Sequence, residues 1–353
     1  MSWRIGLAGL IGLAVAVAIM VFYEPNPYAY IPGTVSPEAQ EHLSLSSDPA
    51  TRASLPAPRN EAGWRKLRQQ LAQARERYTA QHIDRFDVLV SERQLGPLSA
   101  LEVTPEGYVE DGHRLVYFHG GGYVVDSARS KLLEAALMAD GTGWPVISVN
   151  HPNAPEARWW EILDASSAAL IALEQQGLAM SELALVGDSA GGGLVTGLTL
   201  KRRDEGFPLP AALVLWSPWT DLSTAGDTRE TLKDADPAVS EARLLRPAAE
   251  AYAPESEWRR PYVSPVYGEY SADFPPTLIQ GGTKEILLSD FVRLYRAIRD
   301  GGGHVELDLY EGMPHLFQLP MTLDGAPEGE IAMRVMRDFL RTHLADTQAH
   351  AQP

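Results

Sequence analysis

The sequence predicts an α/β fold, with a mostly parallel central sheet covered by helices on both faces. Three observations lead to this prediction. Short apolar runs, typical of buried strands, alternate along the chain with longer amphipathic segments, typical of helices. One of these runs ends in a glycine-rich turn that leads directly into a helical segment. The chain has 353 residues, of which 45% are apolar and 22% charged, so it is long enough for one large domain with additional segments.

The composition excludes several classes of function. The formal net charge of -16 argues against nucleic acid as a partner, because phosphate binding needs a basic surface. The chain has no cysteine, which rules out disulfides, a cysteine nucleophile and thiolate metal ligands but does not identify the cellular compartment. We predict neither a metal nor an organic cofactor, and the oligomeric state stays open.

The N-terminal segment predicts a membrane anchor at residues 1–23. Residues 5–22 are uncharged and apolar, and a helix of this length spans about 27 Å, close to the hydrocarbon core of a bilayer. A cleavable signal peptide with an A-x-A-like site at 16–18 is the alternative, and a buried helix of a soluble domain is a third interpretation. Arg4 precedes the apolar run, whereas residues 23–42 contain no Lys or Arg. By the positive-inside rule we expect a membrane-anchored periplasmic domain, or a secreted one after cleavage.

A tether and a folded domain follow this segment. Residues 24–60 are rich in Pro, Ser and Ala and predict the tether, and residues 61–348 contain the strands and most of the helices. Residues 223–258 are polar and mostly helical, which indicates an insertion rather than a unit of the sheet. The predicted strands lie at 88–90, 98–103, 115–118, 146–149, 183–186, 213–216, 277–280 and 305–310. The predicted helices lie at 37–45, 64–78, 165–174, 190–200, 287–299 and 330–344.

The glycine-rich turn contains the strongest candidate for chemistry. Gly187-Asp188-Ser189-Ala190-Gly191 follows the strand at 183–186 and fits the G-x-S-x-G pattern of a strained strand-to-helix turn. A serine at the apex of such a turn exposes its hydroxyl. The N–H of Ala190 points out of a helix N-terminus, where developing negative charge is stabilised. A glycine-rich turn without chemistry is the competing interpretation, but the flanking strand and helix favour Ser189 as a nucleophile, with Asp188 supporting it.

A serine nucleophile needs a base, and the base needs an acid that orients it. Among the histidines after Ser189, His315 lies in the loop after the strand at 305–310, at the sheet edge where such sites assemble. The loop after the strand at 277–280 supplies two carboxylates. Glu285 comes first and is the predicted acid, whereas Asp290 is the reserve candidate. Either carboxylate could instead cap the following helix.

Three consecutive glycines follow His119 at the end of the strand at 115–118. Glycines expose their backbone N–H groups without side chains in the way. We predict that Gly120 and Gly121 join Ala190 in an oxyanion hole and that His119 braces this loop. A flexible turn is the competing interpretation.

These motifs make the chain resemble the bacterial hormone-sensitive-lipase family of α/β-hydrolase esterases, from about residue 37 to residue 343. The family usually has Asp where Glu285 stands and a Tyr-Arg pair where His151-Pro152 stands. The resemblance rests on His119-Gly120-Gly121-Gly122, Gly187-Asp188-Ser189-Ala190-Gly191-Gly192, Ala154-Pro155-Glu156, Ser217-Pro218-Trp219 with Asp221, Pro275-Pro276 and Gly312-Met313-Pro314-His315.

The resemblance implies a serine carboxylic-ester hydrolase that acts on a small-molecule ester with a short to medium acyl chain. It also implies a cap built from segments near 37–82 and 221–262. A lactonase or an amidase uses the same triad, and a non-catalytic binding module of the same fold is the alternative from another class. The candidates for an apolar pocket, which could equally be core residues, are Trp64, Tyr123, Trp159, Trp160, Trp219 and Phe317.

Overall fold

The structure, a computed structural model, describes residues 30–45 and 55–349, with side chains described as far as residue 344. The predicted anchor at 5–22 and much of the predicted tether lie outside the described residues. Within the described part of the chain, no helix is long and apolar enough to cross a membrane.

An eight-stranded sheet forms the centre of the fold. Its strands are β1 Val88–Leu95, β2 Leu98–Pro105, β3 Arg114–Phe118, β4 Val146–Val149, β5 Leu183–Asp188, β6 Ala212–Trp216, β7 Thr277–Gly282 and β8 Val305–Tyr310. The spatial order is β1-β2-β4-β3-β5-β6-β7-β8. The pairs β1–β2 and β2–β4 are antiparallel and the other pairs are parallel, which confirms the predicted mostly parallel sheet. β1 extends beyond its prediction because this edge strand is largely exposed and its polar residues hide the strand pattern.

The helices of the described residues are α1 Pro37–Ser44, α2 Glu61–His82, α3 Leu132–Thr142, α4 Trp159–Gln175, α5 Ala190–Asp204, α6 Thr228–Thr231, α7 Arg246–Tyr252, α8 Leu288–Asp300, α9 Gln318–Leu323 and α10 Pro327–Ala349. α3 has no counterpart among the predicted helices. Nearly all of its residues are buried, so its sequence lacks the apolar stripe of a surface helix. The predicted insertion contains α6, a π-helical turn at Glu241–Leu245 and α7, and it adds no strand to the sheet.

Apolar cores lie on both faces of the sheet. Successive strand residues point to opposite faces, so Phe118 and Leu185 pack in one core while Tyr117 and Val186 pack in the other. The first core includes residues of α4, α5 and α8, and the second includes residues of α3 and α10. The helices therefore cover both faces, as the sequence predicts.

A third, smaller core joins the N-terminal part of the described chain to the loop after β8. Ala39 and Leu43 of α1 pack with Met313 and Phe317, and all four side chains are buried. Ser36 caps α1 and donates a hydrogen bond to Glu328 at 2.7 Å. This packing fixes the backbone on both sides of His315.

Candidate active site

Ser189 occupies the sharp turn between β5 and α5. Its φ of 53° and ψ of -120° lie where residues with side chains are rare, at a cost of about 1–3 kcal/mol. Two backbone hydrogen bonds hold this conformation: the Ser189 N–H donates to Trp216, and the Ser189 carbonyl accepts from Trp219, both at 2.8 Å. A Cβ atom at Gly191 would lie 2.0 Å from the Phe118 carbonyl oxygen, so the turn needs glycine there. The strained elbow that the motif predicts is present.

His315 and Glu285 meet at the carboxyl edge of the sheet, where the loops after β7 and β8 lie side by side. Nδ1 of His315 lies 2.7 Å from Oε2 of Glu285. The other oxygen of Glu285 accepts hydrogen bonds from the Ser217 hydroxyl at 2.8 Å and from the Gly282 N–H at 2.6 Å. Glu285 is fully buried. Because both carboxylate oxygens are paired, the orientation of Glu285 towards His315 is fixed.

The surroundings of His315 favour its protonated form. Burial opposes a charge on this ring, but the hydrogen bond and the charge of Glu285 outweigh it and raise the pKa of His315 above its ordinary value. The charges of Asp236 and Asp188 act in the same direction. An imidazole in this setting can take up a proton during a reaction and be stabilised as the cation.

Asp290, the reserve candidate for the acid, does not contact His315. Its Oδ2 accepts hydrogen bonds from the N–H groups of Thr220 and Asp221, both at 2.9 Å, and Arg229 lies 3.4 Å away. Burial raises the pKa of Asp290 to about 6. Asp290 thus ties the start of α8 to the loop after β6, and it is Glu285 that contacts His315.

The glycine loop after β3 departs from the prediction at Gly120. The Gly120 N–H donates to Oδ1 of Asp188 at 2.6 Å, so this amide is already used and the prediction of Gly120 as an oxyanion donor is wrong. Gly121 and Gly122 follow with φ angles of 100° and 62°, and a Cβ at Gly121 would lie 2.3 Å from the Val125 carbonyl oxygen. Among the described residues, neither the Gly121 nor the Gly122 N–H has a hydrogen-bond acceptor. These two amides are available to a ligand.

Asp188 is the centre of a buried polar network below the glycine loop. Besides Gly120, it accepts hydrogen bonds from the Tyr117 hydroxyl at 2.7 Å and from Nζ of Lys131 at 3.2 Å. Lys131 also bonds Glu134 at 2.9 Å, and all of these side chains are buried. Burial alone would raise the pKa of Asp188, but the charge of Lys131 and the hydrogen bonds hold it below its ordinary value. The supporting role predicted for Asp188 therefore has a physical basis: as an anion it fixes Gly120.

His119 packs inside the protein behind the glycine loop. Its ring stacks on that of His151 with centroids 3.9 Å apart, and its Nδ1 lies 2.8 Å from the Gly120 carbonyl oxygen. Nε2 of His151 lies 3.0 Å from the His119 carbonyl oxygen. Burial lowers the pKa of both rings. These contacts agree with the predicted bracing of the loop by His119.

The aromatic residues predicted as pocket candidates are mostly core residues. Four of the six are nearly inaccessible: Trp64, Tyr123, Trp219 and Phe317. The ring of Tyr123 stacks on that of Tyr252 with centroids 3.8 Å apart, which joins the glycine loop to α7. A cavity of about 410 Å³ beside His315 is instead lined in part by polar side chains, among them Arg75, Tyr78, Lys131 and Glu134.

Three residues of the site have no role in the sequence-based prediction. Ser217 donates to Glu285 and also accepts from the Leu316 N–H at 3.2 Å, so it joins the loop that carries Glu285 to the loop that carries His315. Lys131 neutralises Asp188, and Asp236 lies near His315. Ser217 directly follows β6, and that position could have identified it. The other two come from segments whose sequences give no signal of this proximity.

Known proteins are similar to this chain in sequence and in fold. A sequence profile of the α/β hydrolase fold matches residues 115–319. The chain is 34% identical to an acetyl-hydrolase from Streptomyces hygroscopicus over 233 residues, which cover 66% of this chain and 77% of that protein.

Solved structures give the same result. The crystal structure of esterase E25 superposes with a TM-score of 0.82 at 28% identity and covers 89% of this chain and 96% of that one. An esterase from the bacterial hormone-sensitive lipase family superposes with a TM-score of 0.68 at 32% identity and covers 73% of this chain and 85% of that one. The chain therefore belongs to the α/β-hydrolase fold family, as a carboxylesterase-like hydrolase of the bacterial hormone-sensitive-lipase group.

Proposed function

We propose that this protein hydrolyses carboxylic esters with short to medium acyl chains, using Ser189 as nucleophile, His315 as base and Glu285 as the acid. The observation that carries the proposal is the 2.7 Å contact between His315 and Glu285, at the sheet edge where the strained Ser189 turn also lies. Oγ of Ser189 attacks the ester carbonyl while its proton passes to Nε2 of His315. The imidazolium then protonates the departing alcohol, and an acyl-enzyme remains.

Water completes the cycle by the same steps in reverse. His315 takes a proton from the water as it attacks the acyl-enzyme, and returns that proton to Oγ of Ser189 when the acid is released. Glu285 keeps the proton of the neutral ring on Nδ1 and stabilises the imidazolium in both acylation and deacylation. No step of this scheme needs a metal or an organic cofactor.

We propose Gly121, Gly122 and Ala190 as the donors of the oxyanion hole. The Gly120 N–H is paired with Asp188, whereas those of Gly121 and Gly122 have no acceptor among the described residues. Ala190 is the first residue of α5, so its N–H adds the positive end of a helix dipole. Backbone donors fixed in this way stabilise negative charge on the tetrahedral intermediate without reorganisation.

The preference for short acyl chains rests on the cap and on the relatives. Both parts of the cap contact loops of the site: Arg68 of α2 donates to the Val124 carbonyl just after the glycine loop at 2.9 Å, and Asp236 accepts from the Ile286 N–H next to Glu285 at 2.9 Å. A cap over the site limits the depth of the acyl pocket, so short acyl chains should be preferred over long ones. The relative from Streptomyces hygroscopicus is named for acetyl groups, which fits a small acyl site.

Substitution of the nucleophile tests the proposal. Ser189→Ala should abolish hydrolysis of p-nitrophenyl butyrate and stoichiometric labelling by an organophosphonate, while the melting temperature stays close to that of the wild type. Labelling that persists in this variant would contradict the assignment of Ser189. Faster turnover of the sixteen-carbon palmitate ester than of the butyrate ester would contradict the acyl preference.

We also propose that residues 5–22 hold the domain at the outer face of the cytoplasmic membrane. The support is the apolar length of this segment and the position of Arg4 on its N-terminal side only.

A further inference from the structure

Asp236 connects the cap segment at 221–262 to the loop that carries Glu285. Its side chain is fully buried. One carboxylate oxygen accepts hydrogen bonds from the N–H groups of Ala238 and Val239, at 2.8 and 2.9 Å. The other accepts from the Ile286 N–H at 2.9 Å. Because Ile286 directly follows Glu285, a single carboxylate joins a turn of the cap segment to the backbone of the acid.

A second residue of the cap segment holds the same loop. The Thr228 hydroxyl donates to the Ile286 carbonyl at 2.8 Å and accepts from the Ser289 N–H at 2.9 Å. Both polar backbone groups of Ile286 are therefore paired with residues of the cap segment. The path of the acid loop from Glu285 into α8 depends on the cap segment being in place.

Asp236 also places a second negative charge near the base. His315 is faced by Glu285 from the loop after β7, by Asp236 from the cap segment and by Asp188 from β5, and each favours the protonated ring. Lys131 and Arg75 line the same cavity as His315, together with Glu134. Burial, and then the like charge of Glu285, raise the pKa of Asp236 to about 6 despite the opposing charge of His315. At pH 8 Asp236 is ionised.

We propose that Asp236 is a positioning residue of the catalytic site, which aligns Glu285 with His315 and helps to stabilise the imidazolium. The inference rests on the proposed function. On this proposal the cap segment holds the catalytic acid in position, in addition to covering the substrate. Loss of the Asp236 contacts should therefore reduce the chemical step more than substrate binding.

Asp236→Asn provides the test, because the side chain keeps its size but loses its charge. Its amide can accept from Ile286 or from Ala238 and Val239, but not from both sides. Asp234→Asn is the matched control, since it removes the same charge from an exposed position in the same segment. We expect Asp236→Asn to lower kcat for p-nitrophenyl butyrate by about tenfold with little change in KM. The acidic limb of kcat/KM should move to lower pH in Asp236→Asn. Asp234→Asn should change neither kcat nor the position of this limb.

An NMR titration of His315 separates this inference from the proposed function. The imidazole resonances, assigned with His315→Gln, report the pKa of the base in the full-length protein whether or not an ester is turned over. A lower His315 pKa in Asp236→Asn than in the wild type supports the inference even if the enzyme acts on another substrate. An unchanged pKa together with an unchanged kcat per active site, counted by phosphonate titration, would overturn it.

Thr228→Val extends the test if Asp236→Asn folds poorly. This variant removes both hydroxyl contacts to the acid loop without removing a charge. It should lower kcat while the exposed-site control Asp234→Asn keeps wild-type activity. Full activity in Thr228→Val would contradict the dependence of the acid loop on the cap segment.

Discussion

Replacing Lys131 with methionine removes the cation that is bonded to Asp188 below the glycine loop. Methionine fills a similar volume and leaves no polar atom behind, so the change isolates the charge. Nζ of Lys131 lies 3.2 Å from Asp188 and 2.9 Å from Glu134, and the side chains of these residues are 3%, 0% and 9% exposed. In the variant, two buried carboxylates lose their shared partner.

The expected cost follows from this burial. Breaking a buried ion pair by removing one partner costs about 3–5 kcal/mol, because the other charge stays desolvated. At roughly 2 °C per kcal/mol for a domain of this size, the melting temperature should fall by about 6 °C or more. Lys201 on α5 is the matched control, since it also bridges two carboxylates, Asp164 and Glu205, but these are 64% and 42% exposed. Lys201→Met should cost only about 1 kcal/mol or less, although it removes two surface pairs.

The pH dependence of stability gives a second measure. The depressed pKa of Asp188 contributes stability that is present above its unfolded value of 3.8 and is lost as the pH falls through the lower folded value. The raised pKa of Lys131 contributes stability that is present below 10.5 and is lost as the pH rises through the higher folded value. Between pH 3.8 and pH 10.5 both contributions to stability are fully present. In Lys131→Met the pKa of Asp188 rises, so the loss of stability with acid should begin at higher pH.

Urea unfolding at pH 7.5 and ester turnover are the assays. Asp188 fixes Gly120 and thereby the loop that carries the proposed donors Gly121 and Gly122. We therefore expect kcat to fall by at most about 10²-fold, the size of effect that follows when one oxyanion donor is lost. The double variant Lys131→Met/Asp188→Asn should recover part of the stability, because one of the two carboxylates that lost their partner no longer carries a charge. If Lys131→Met lowered the free energy of unfolding no more than Lys201→Met does, the reasoning would be refuted.

Three further predictions concern the acid, the base and the anchor. Glu285→Gln should reduce kcat by about 10³–10⁴-fold, because an amide cannot stabilise the imidazolium, whereas Asp290→Asn should mainly lower the melting temperature. The reverse order would exchange the two roles. The kcat/KM of the wild type should fall as the pH decreases through a value above 6.5, since Glu285 raises the pKa of His315 and the base must be unprotonated. An acidic limb of kcat/KM centred below pH 6.5 would contradict the raised pKa of His315. The full-length chain should sediment with membranes and be released by detergent but not by alkaline carbonate, and external protease should digest it in intact spheroplasts; complete protection would contradict the predicted topology.

The sequence predicts the three main residues of the candidate site because each lies in the turn or loop that follows a strand. Ser189 lies in a short motif, and Glu285 and His315 lie in the loops after β7 and β8. In a parallel sheet these loops open at one edge, so order along the chain already implies proximity in space. The preference for Glu285 over Asp290 rests on the same reasoning, since Glu285 is nearer to the end of its strand.

The use of individual backbone groups is beyond the reach of such patterns. The three glycines are chemically identical. Only at Gly120 is the backbone N–H known to be used inside the described part of the protein, because Asp188, 68 residues away along the chain, accepts its hydrogen bond. That bond depends on the parallel pairing of β3 with β5, which sets Phe118 opposite Gly187 and brings the two following turns together. A sequence motif identifies the loop, whereas the sheet register decides which of its amides can hold an oxyanion.

Asp236 is a second feature of the candidate site that the sequence pattern does not predict. Its segment carries no strand, and its contacts with Ile286 span 50 residues. A buried carboxylate is costly unless hydrogen bonds and nearby charges compensate it, and here three backbone N–H groups and His315 do so. Such an aspartate is expected where a segment must dock in one position only. The insertion that separates β6 from β7 thus carries part of the geometry that Glu285 needs, and its sequence should tolerate fewer changes at Asp236 than at the exposed Asp234.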